Sequence, residues 1–173
     1  MTNMKTRESV LCAFFAALSA VLSQIAVPIG PVPIALTHIS IFTAAGLLGA
    51  KYGALSQVVF VLMGAVGIPV FTGFSGGLGW IAGPTGGFIA GYVGCAFTTG
   101  LIIDRTGSSV KMLIPAMYAG WIVTYALGIP WFMYVTNMNL TAALIYMSAF
   151  LPGDLVKTIL SAILIKRLRP VLK

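Results

Sequence analysis

Six apolar runs, each ended by proline, glycine or charge, set the rhythm of this chain: residues 8–27, 34–50, 52–68, 84–103, 111–129 and 140–168. A membrane-crossing helix needs about 17–25 residues. The second and third runs sit at the lower bound, and the last is too long and is interrupted by Pro152-Gly153. The stretch from Pro152 to Leu168 covers about 25 Å at helical rise, nearly a full crossing. Proline suits the start of a helix, because its missing N–H has no partner there. The pattern therefore predicts an all-α integral membrane protein, a single unit over residues 1–173, with six transmembrane helices. A short extra outer helix or lid over residues 140–151 precedes the sixth span.

Composition agrees with this pattern. Hydrophobic residues make up 59% of the chain, its mean hydropathy is +1.03, and only 8% of its residues are charged. A soluble domain carries about 25% charged residues, and water would leave so much apolar surface uncovered. The net charge of +7 does not mark a nucleic-acid surface. Lys5, Arg7, Lys51, Arg105, Lys111, Lys166, Arg167, Arg169 and Lys173 lie in short gaps between apolar runs or near the ends. With six spans, all of these share one side with both termini, whereas loops 28–35, 70–83 and 128–139 carry no Lys or Arg. The positive-inside rule then makes both termini cytoplasmic. Lys5 and Arg7 before an apolar stretch look like the start of a signal peptide, but no clear cleavage site follows, so the stretch is read as a retained first helix. Cys12 and Cys95 lie inside apolar runs without metal-ligand spacing and read as small buried hydrophobes.

The two faces differ in more than charge. Inner connections are short, while the outer ones are rich in Pro, Gly and aromatics: PIGPVP, VFTGFSGGLGW and GIPWFMYV. Irregular backbone at membrane depth must be satisfied by protein or line a cavity, which points to a ligand pocket roofed by these loops. Trp131 and Tyr134 fit interfacial anchors better than pocket walls. Small residues recur at helical spacing. Gly83, Gly87 and Gly91, with Gly86, Ala90 and Gly94 beside them, predict close backbone approach of the fourth span to a neighbour. Ala13, Ala17, Ala16 and Ala20 do the same for the first span, where the strip suits either internal packing or a partner protein.

Three acidic residues occur in the whole chain. Glu8 and Asp104 stand beside Arg7 and Arg105 at the inner boundary and read as interfacial. Asp154 and Lys157 are different: they fall three apart in the first turns of the sixth span, on one helix face. An ionised group inside a bilayer costs about 2.5–3.5 kcal/mol on insertion scales, so such residues face a cavity or a partner. Lys157 suits a ligand carboxylate, and Asp154 suits N–H donors. Enzyme motifs do not appear. Gly83-Pro84-Thr85-Gly86-Gly87 lacks the lysine of a nucleotide loop, and the lone His38 has no nucleophile-elbow context and no metal-ligand companions. A membrane-embedded enzyme using His38 and Asp154, and a self-sufficient facilitator, remain the rival classes.

PVFTGFSGGLGWIAGPTGGFIAGY, preceded by GALSQVVFVLMGAVGIPVF and followed later by FLPGDLVK, resembles the BioY family, the biotin-specific S components of energy-coupling factor (ECF) transporters. The resemblance covers nearly the whole chain. It implies a prokaryotic cell-membrane protein, not an enzyme and without a cofactor, that captures biotin from outside. It also implies partners: a transmembrane scaffold protein and two ATP-binding-cassette ATPases, docked on Ala13, Ala17 and Ala20. The family's aspartate and lysine fall on Asp154 and Lys157. Biotin is expected under the 70–83 loop, with Phe74, Trp80 and Tyr92 on its apolar rings and Asp154, Lys157 and Ser75 at its polar ends. The family's usual PVPxTxQT reads PVPIALTHI here, which leaves Thr37 or His38 to supply the polar contact of that segment.

Overall fold

The computed structural model describes residues 6–172; Lys5 and Lys173 lie outside the described residues. Nine elements follow in order: α1 (Thr6–Gln24), β1 (Ala26–Val27), β2 (Ile34–Ala35), α2 (Thr37–Ala65), α3 (Leu78–Ala82), α4 (Gly86–Thr106), α5 (Val110–Thr136), α6 (Leu140–Ser148) and α7 (Leu151–Leu172). Four of these helices, α1, α2, α4 and α5, are long and apolar enough to cross a membrane; α6 and α7, bent by 50° at their junction, add a fifth if counted as one span.

The difference from the expected six lies in α2. Gly49 interrupts it with φ 75° and ψ −174°, a backbone region open chiefly to glycine. The break is a reversal rather than a bend. Ser19 Oγ meets both Ser40 Oγ at 2.9 Å and Gln57 Oε1 at 3.2 Å, yet residues 40 and 57 would lie about 25 Å apart along one straight helix. Asp104 fixes the turn: its Oδ2 accepts the Ala50 backbone N–H at 2.8 Å, which caps the N-terminus of the returning arm. Asp104, read from sequence as interfacial, is thus a helix cap. The two arms, residues 37–48 and 50–65, measure about 18 and 24 Å. Each is shorter than the bilayer's hydrocarbon core, of about 30 Å.

Smaller boundaries also move. The first helix ends at Gln24 instead of continuing to Val27, because Ala26 and Val27 pair antiparallel with Ala35 and Ile34; the PIGPVP segment is a small hairpin. A five-residue helix, α3, forms inside the glycine-rich 70–83 loop. The fourth helix starts at Gly86, two residues after Pro84. The fifth continues to Thr136 rather than ending at Ile129 and carries Pro130 within it, a helix-interior proline that membrane proteins tolerate. The break before the last helix falls where Pro152-Gly153 places it: α7 begins at Leu151 and α6 stands apart.

Packing follows the small residues. A Cβ added at Gly87 would come within 2.4 Å of Trp131 Cβ and 2.5 Å of the Leu127 carbonyl, and one at Gly91 would meet Thr124 Cα at 3.0 Å. The strip on α4 therefore seats directly on the backbone of α5, since lipid supplies no hydrophobic drive between helices and contact must come from close fit. One core joins the first arm of α2 to α4, α5 and α7 around Phe42, Met117, Trp121 and Ile165. A second lies beneath α6 around Phe132, Met147 and Phe150, and a third joins α1 to the 70–83 loop around Phe60 and Phe71.

Candidate functional site

The first turns of α7 carry the ionised pair into the protein. Asp154 and Lys157 are 6% and 3% exposed, and Lys157 Nζ donates to Asp154 Oδ1 at 3.0 Å. The other carboxylate oxygen accepts the Tyr125 hydroxyl from α5. Thr158 Oγ1, which donates to the Asp154 carbonyl at 2.8 Å, accepts the Trp121 indole N–H at 3.1 Å. Lys157 Nζ lies 5.4 Å from the Trp121 ring centroid, within cation–π range. His38, on the first arm of α2, stacks on the same ring at 3.9 Å. Charge, hydroxyls and aromatic faces from α2, α5 and α7 thus converge at one depth.

Two small cavities meet there. One is lined by residues that include Ala35, His38, Trp121, Tyr125, Asp154 and Lys157. The other lies toward the 70–83 loop, among Ser23, Thr37, Phe71, Trp80, Thr85 and their neighbours. Val32, Pro33, Phe88 and Tyr92 line both, so they are two lobes around common walls. Their volumes are about 40 and 30 Å³, space for a few waters and far below the roughly 300–1,000 Å³ of a ligand pocket. Neither lobe as it stands has the volume of such a ligand, so binding needs the walls to move. A recess of about 690 Å³ between α5, α6 and α7 is larger, but apart from the edges of Tyr118, Trp121, Tyr125 and Asp154 its lining is aliphatic. It offers few polar groups to fix a ligand's orientation.

The roof is latched. Gln24, the last residue of α1, donates from Nε2 to the carbonyls of Val70 and Phe71 at 3.2 and 3.1 Å, and its Oε1 accepts the Phe74 N–H at 2.8 Å. Ser23 Oγ donates to the same Val70 carbonyl. Phe74 is held at φ 54°, a left-handed conformation rare for bulky residues, at the tip of a turn closed by the Phe71–Ser75 bridge.

Of the residues singled out from sequence, the fold gathers Asp154, Lys157, Tyr92, Trp80 and Thr37 around the two lobes, with His38 beside them. Phe74 and Ser75 stand outside both lobes. Phe74 is 75% exposed and lines neither lobe, because the left-handed turn throws it outward. Ser75 spends its hydroxyl on the Thr72 carbonyl at 2.8 Å and also lines neither. Trp131 anchors protein rather than lipid alone, since its indole N–H donates to the Gly83 carbonyl at 2.9 Å; Tyr134 is 78% exposed. On α1, Ala13 and Ala17 lie on the exposed face, Ala20 is half-buried, and Ala16 is buried. Trp121 and Tyr125 were missed by sequence reasoning. The signal was present: an aromatic pair four residues apart in the middle of a span, away from the interfaces where Trp and Tyr concentrate.

Fold and site together define a multi-pass helical membrane protein that encloses a paired anion and cation among aromatic rings. The model of the BioY family matches residues 1–173, and the chain belongs to that family. It is 37% identical to the biotin transporter BioY of Rhizobium etli over 93% of this chain and 92% of that protein. It is 39% identical to the probable biotin transporter BioY of Pyrococcus horikoshii over 96% and 98% of the respective chains. A crystal structure of the S-component for biotin from an ECF-type ABC transporter superposes with a TM-score of 0.90, at 32% identity, covering 98% of this chain and 94% of that one.

Proposed function

We propose that this chain is the membrane-embedded biotin-binding S component of an ECF-type uptake system and performs no chemistry of its own. The observation that carries this is the buried Asp154–Lys157 pair, framed by Tyr125, Trp121 and Tyr92, in a chain of the BioY family. A buried pair is seldom the most stable filling for its space, so its retention is accounted for by ligand recognition. Biotin offers apolar rings and a chain between two polar ends. Trp80 and Tyr92 supply apolar wall, Thr37 a hydroxyl, and Asp154 and Lys157 an acceptor and a donor.

Each arm of α2 is a short span of its own, and α7 is the last, giving six spans with α6 as a lid beside the site. Both termini are cytoplasmic, which puts the basic residues on the inner side and opens the site outward beneath the 70–83 loop. The exposed Ala13 and Ala17, continued by Ala20, form a small-residue face on α1. That face suits docking to a transmembrane scaffold protein, with two ABC-type ATPases driving uptake from below. Equilibrium binding of labelled biotin to the purified protein tests the reading: saturable binding to wild type, lost in Lys157→Met, is expected. Absence of binding by wild type refutes biotin as the ligand. Co-purification with scaffold and ATPases in mild detergent, weakened by Ala17→Leu, tests the docking face.

A further inference from the structure

His38 is 7% exposed, yet its Nε2 has no hydrogen-bond partner among the described residues and no contact with solvent. Buried polar atoms are normally paired, and an orphan asks for a reason. The ring cannot easily turn to find a partner. It lies over Trp121 at 3.9 Å with 26° between planes, meets Tyr92 edge-on at 5.1 Å, and leans on Phe42 at 5.9 Å. It also lines the same lobe as Asp154 and Lys157. Three aromatic contacts therefore fix an unpaired nitrogen beside an ion pair in a site that must open to be filled.

We propose that His38 is a ligand-contacting, specificity-determining residue, whose Nε2 hydrogen-bonds an uncharged polar group of the ligand. This rests on the biotin reading above, for which the group is the ureido ring. Asp154 and Lys157 already neutralise each other at 3.0 Å, so this lobe holds no spare cation for a carboxylate. It offers instead a carboxylate acceptor, an ammonium donor and an imidazole that either accepts or donates according to its tautomer. That set matches a neutral head with N–H donors flanking a carbonyl. The carboxylate end of the ligand is then directed away from the ion pair, toward the second lobe.

The test compares His38→Phe, which keeps the stacked ring and deletes Nε2, with His38→Gln, which restores an amide nitrogen at similar reach. For labelled biotin, His38→Phe is expected to weaken affinity about tenfold, the worth of one hydrogen bond lost to an otherwise buried group. His38→Gln should stay within about threefold of wild type. Melting of the unliganded His38→Phe protein should be unchanged or higher, because no bond exists there to lose; a purely structural histidine would show the reverse. Competition by biotin amide, which lacks the carboxylate, should show the same tenfold penalty. Wild-type affinity in His38→Phe overturns the proposal, and so does a penalty that vanishes with biotin amide, which would put the carboxylate at His38. His38→Leu guards against a misfitting ring: a loss in Phe that Leu does not share also overturns it. If wild type binds no biotin, the underlying reading fails and this assignment with it. Binding that His38→Phe leaves intact and Lys157→Met abolishes refutes the assignment alone.

Discussion

The two sides of α5 are built on opposite principles. Toward α4, glycines bring backbones into contact: Gly87, Gly91 and Gly94 leave no room for a methyl group against Trp131, Thr124 and Val123, and Gly120 returns the fit against Cys95 and Thr99. Toward α7 there is no such strip. A Cβ added at Gly153 would reach no atom of α5, its nearest contact being Ile34 Cγ2 at 3.6 Å, and a recess of about 690 Å³ opens between the helices. Beside the recess α5 and α7 are joined by polar bonds, Tyr125 to Asp154 and Trp121 to Thr158, while further along Met117 and Ile165 share the apolar core. Inside a membrane, close fit makes a rigid seam, while a few directed bonds across an open gap make a joint that a ligand can compete for. The chain places its scaffold on the first side and its recognition groups on the second.

The sharpest way to break the polar side is Lys157→Met. It leaves the Asp154 carboxylate buried with Tyr125 alone, a loss of about 3–5 kcal/mol typical of breaking a buried pair. Biotin affinity should fall more than about a hundredfold, given two or more hydrogen bonds and a charge lost at once. A double variant, Asp154→Leu with Lys157→Met, should recover most of the stability in a denaturant titration and none of the binding. Recovery of binding would show that the pair is structural only.

On the close-packed side, Gly87→Val tests the seam. Its new side chain meets Trp131 Cβ and the Leu127 carbonyl, backbone and ring base that cannot step aside. A stability loss of about 1–3 kcal/mol or outright failure to fold is expected, read from thermal melting in detergent. A tolerated Val would mean the two helices slide.

Loosening the roof sits next in size. Gln24→Leu removes three hydrogen bonds that hold the 70–74 turn to α1. Because water replaces part of them, about 1–2 kcal/mol is expected. The diagnostic reading is faster biotin exchange and earlier proteolysis within residues 71–77. Unchanged exchange would remove the latch from the binding cycle. The smallest effect belongs to the open recess: Leu155→Ala, at a residue 50% exposed, should change stability by no more than about 0.5 kcal/mol. A large loss there would mean that the recess is filled by packing.

The residues that carry these effects were not equally legible. Apolar runs located the long helices, although α5 runs on to Thr136, past its expected end at Ile129, and the break at Pro152-Gly153 separated α6 from α7, because both signals are local. Asp154 and Lys157 stood out for the same reason: charge at the start of an apolar span is costly wherever the chain folds. The placement of Phe74 and Ser75 was not legible, since a glycine-rich loop does not reveal which of its side chains turn inward; a left-handed residue at 74 decided that. Asp104 looked like one of several boundary charges until the reversal at Gly49 brought Ala50 to it.

Sequence by itself therefore determined the membrane class and the charged pair, properties of composition, periodicity or local cost, and its motifs carried the resemblance to the family. Only tertiary structure decided that Asp104 caps the returning arm of α2, that Trp121 and Tyr125 frame the pair from α5, and that His38 presents an unpaired nitrogen beside it. Those facts depend on groups dozens of residues apart meeting at one depth. No local pattern encodes such a meeting, because the geometry arises only when the glycine seam and the polar joint are both satisfied by one packing.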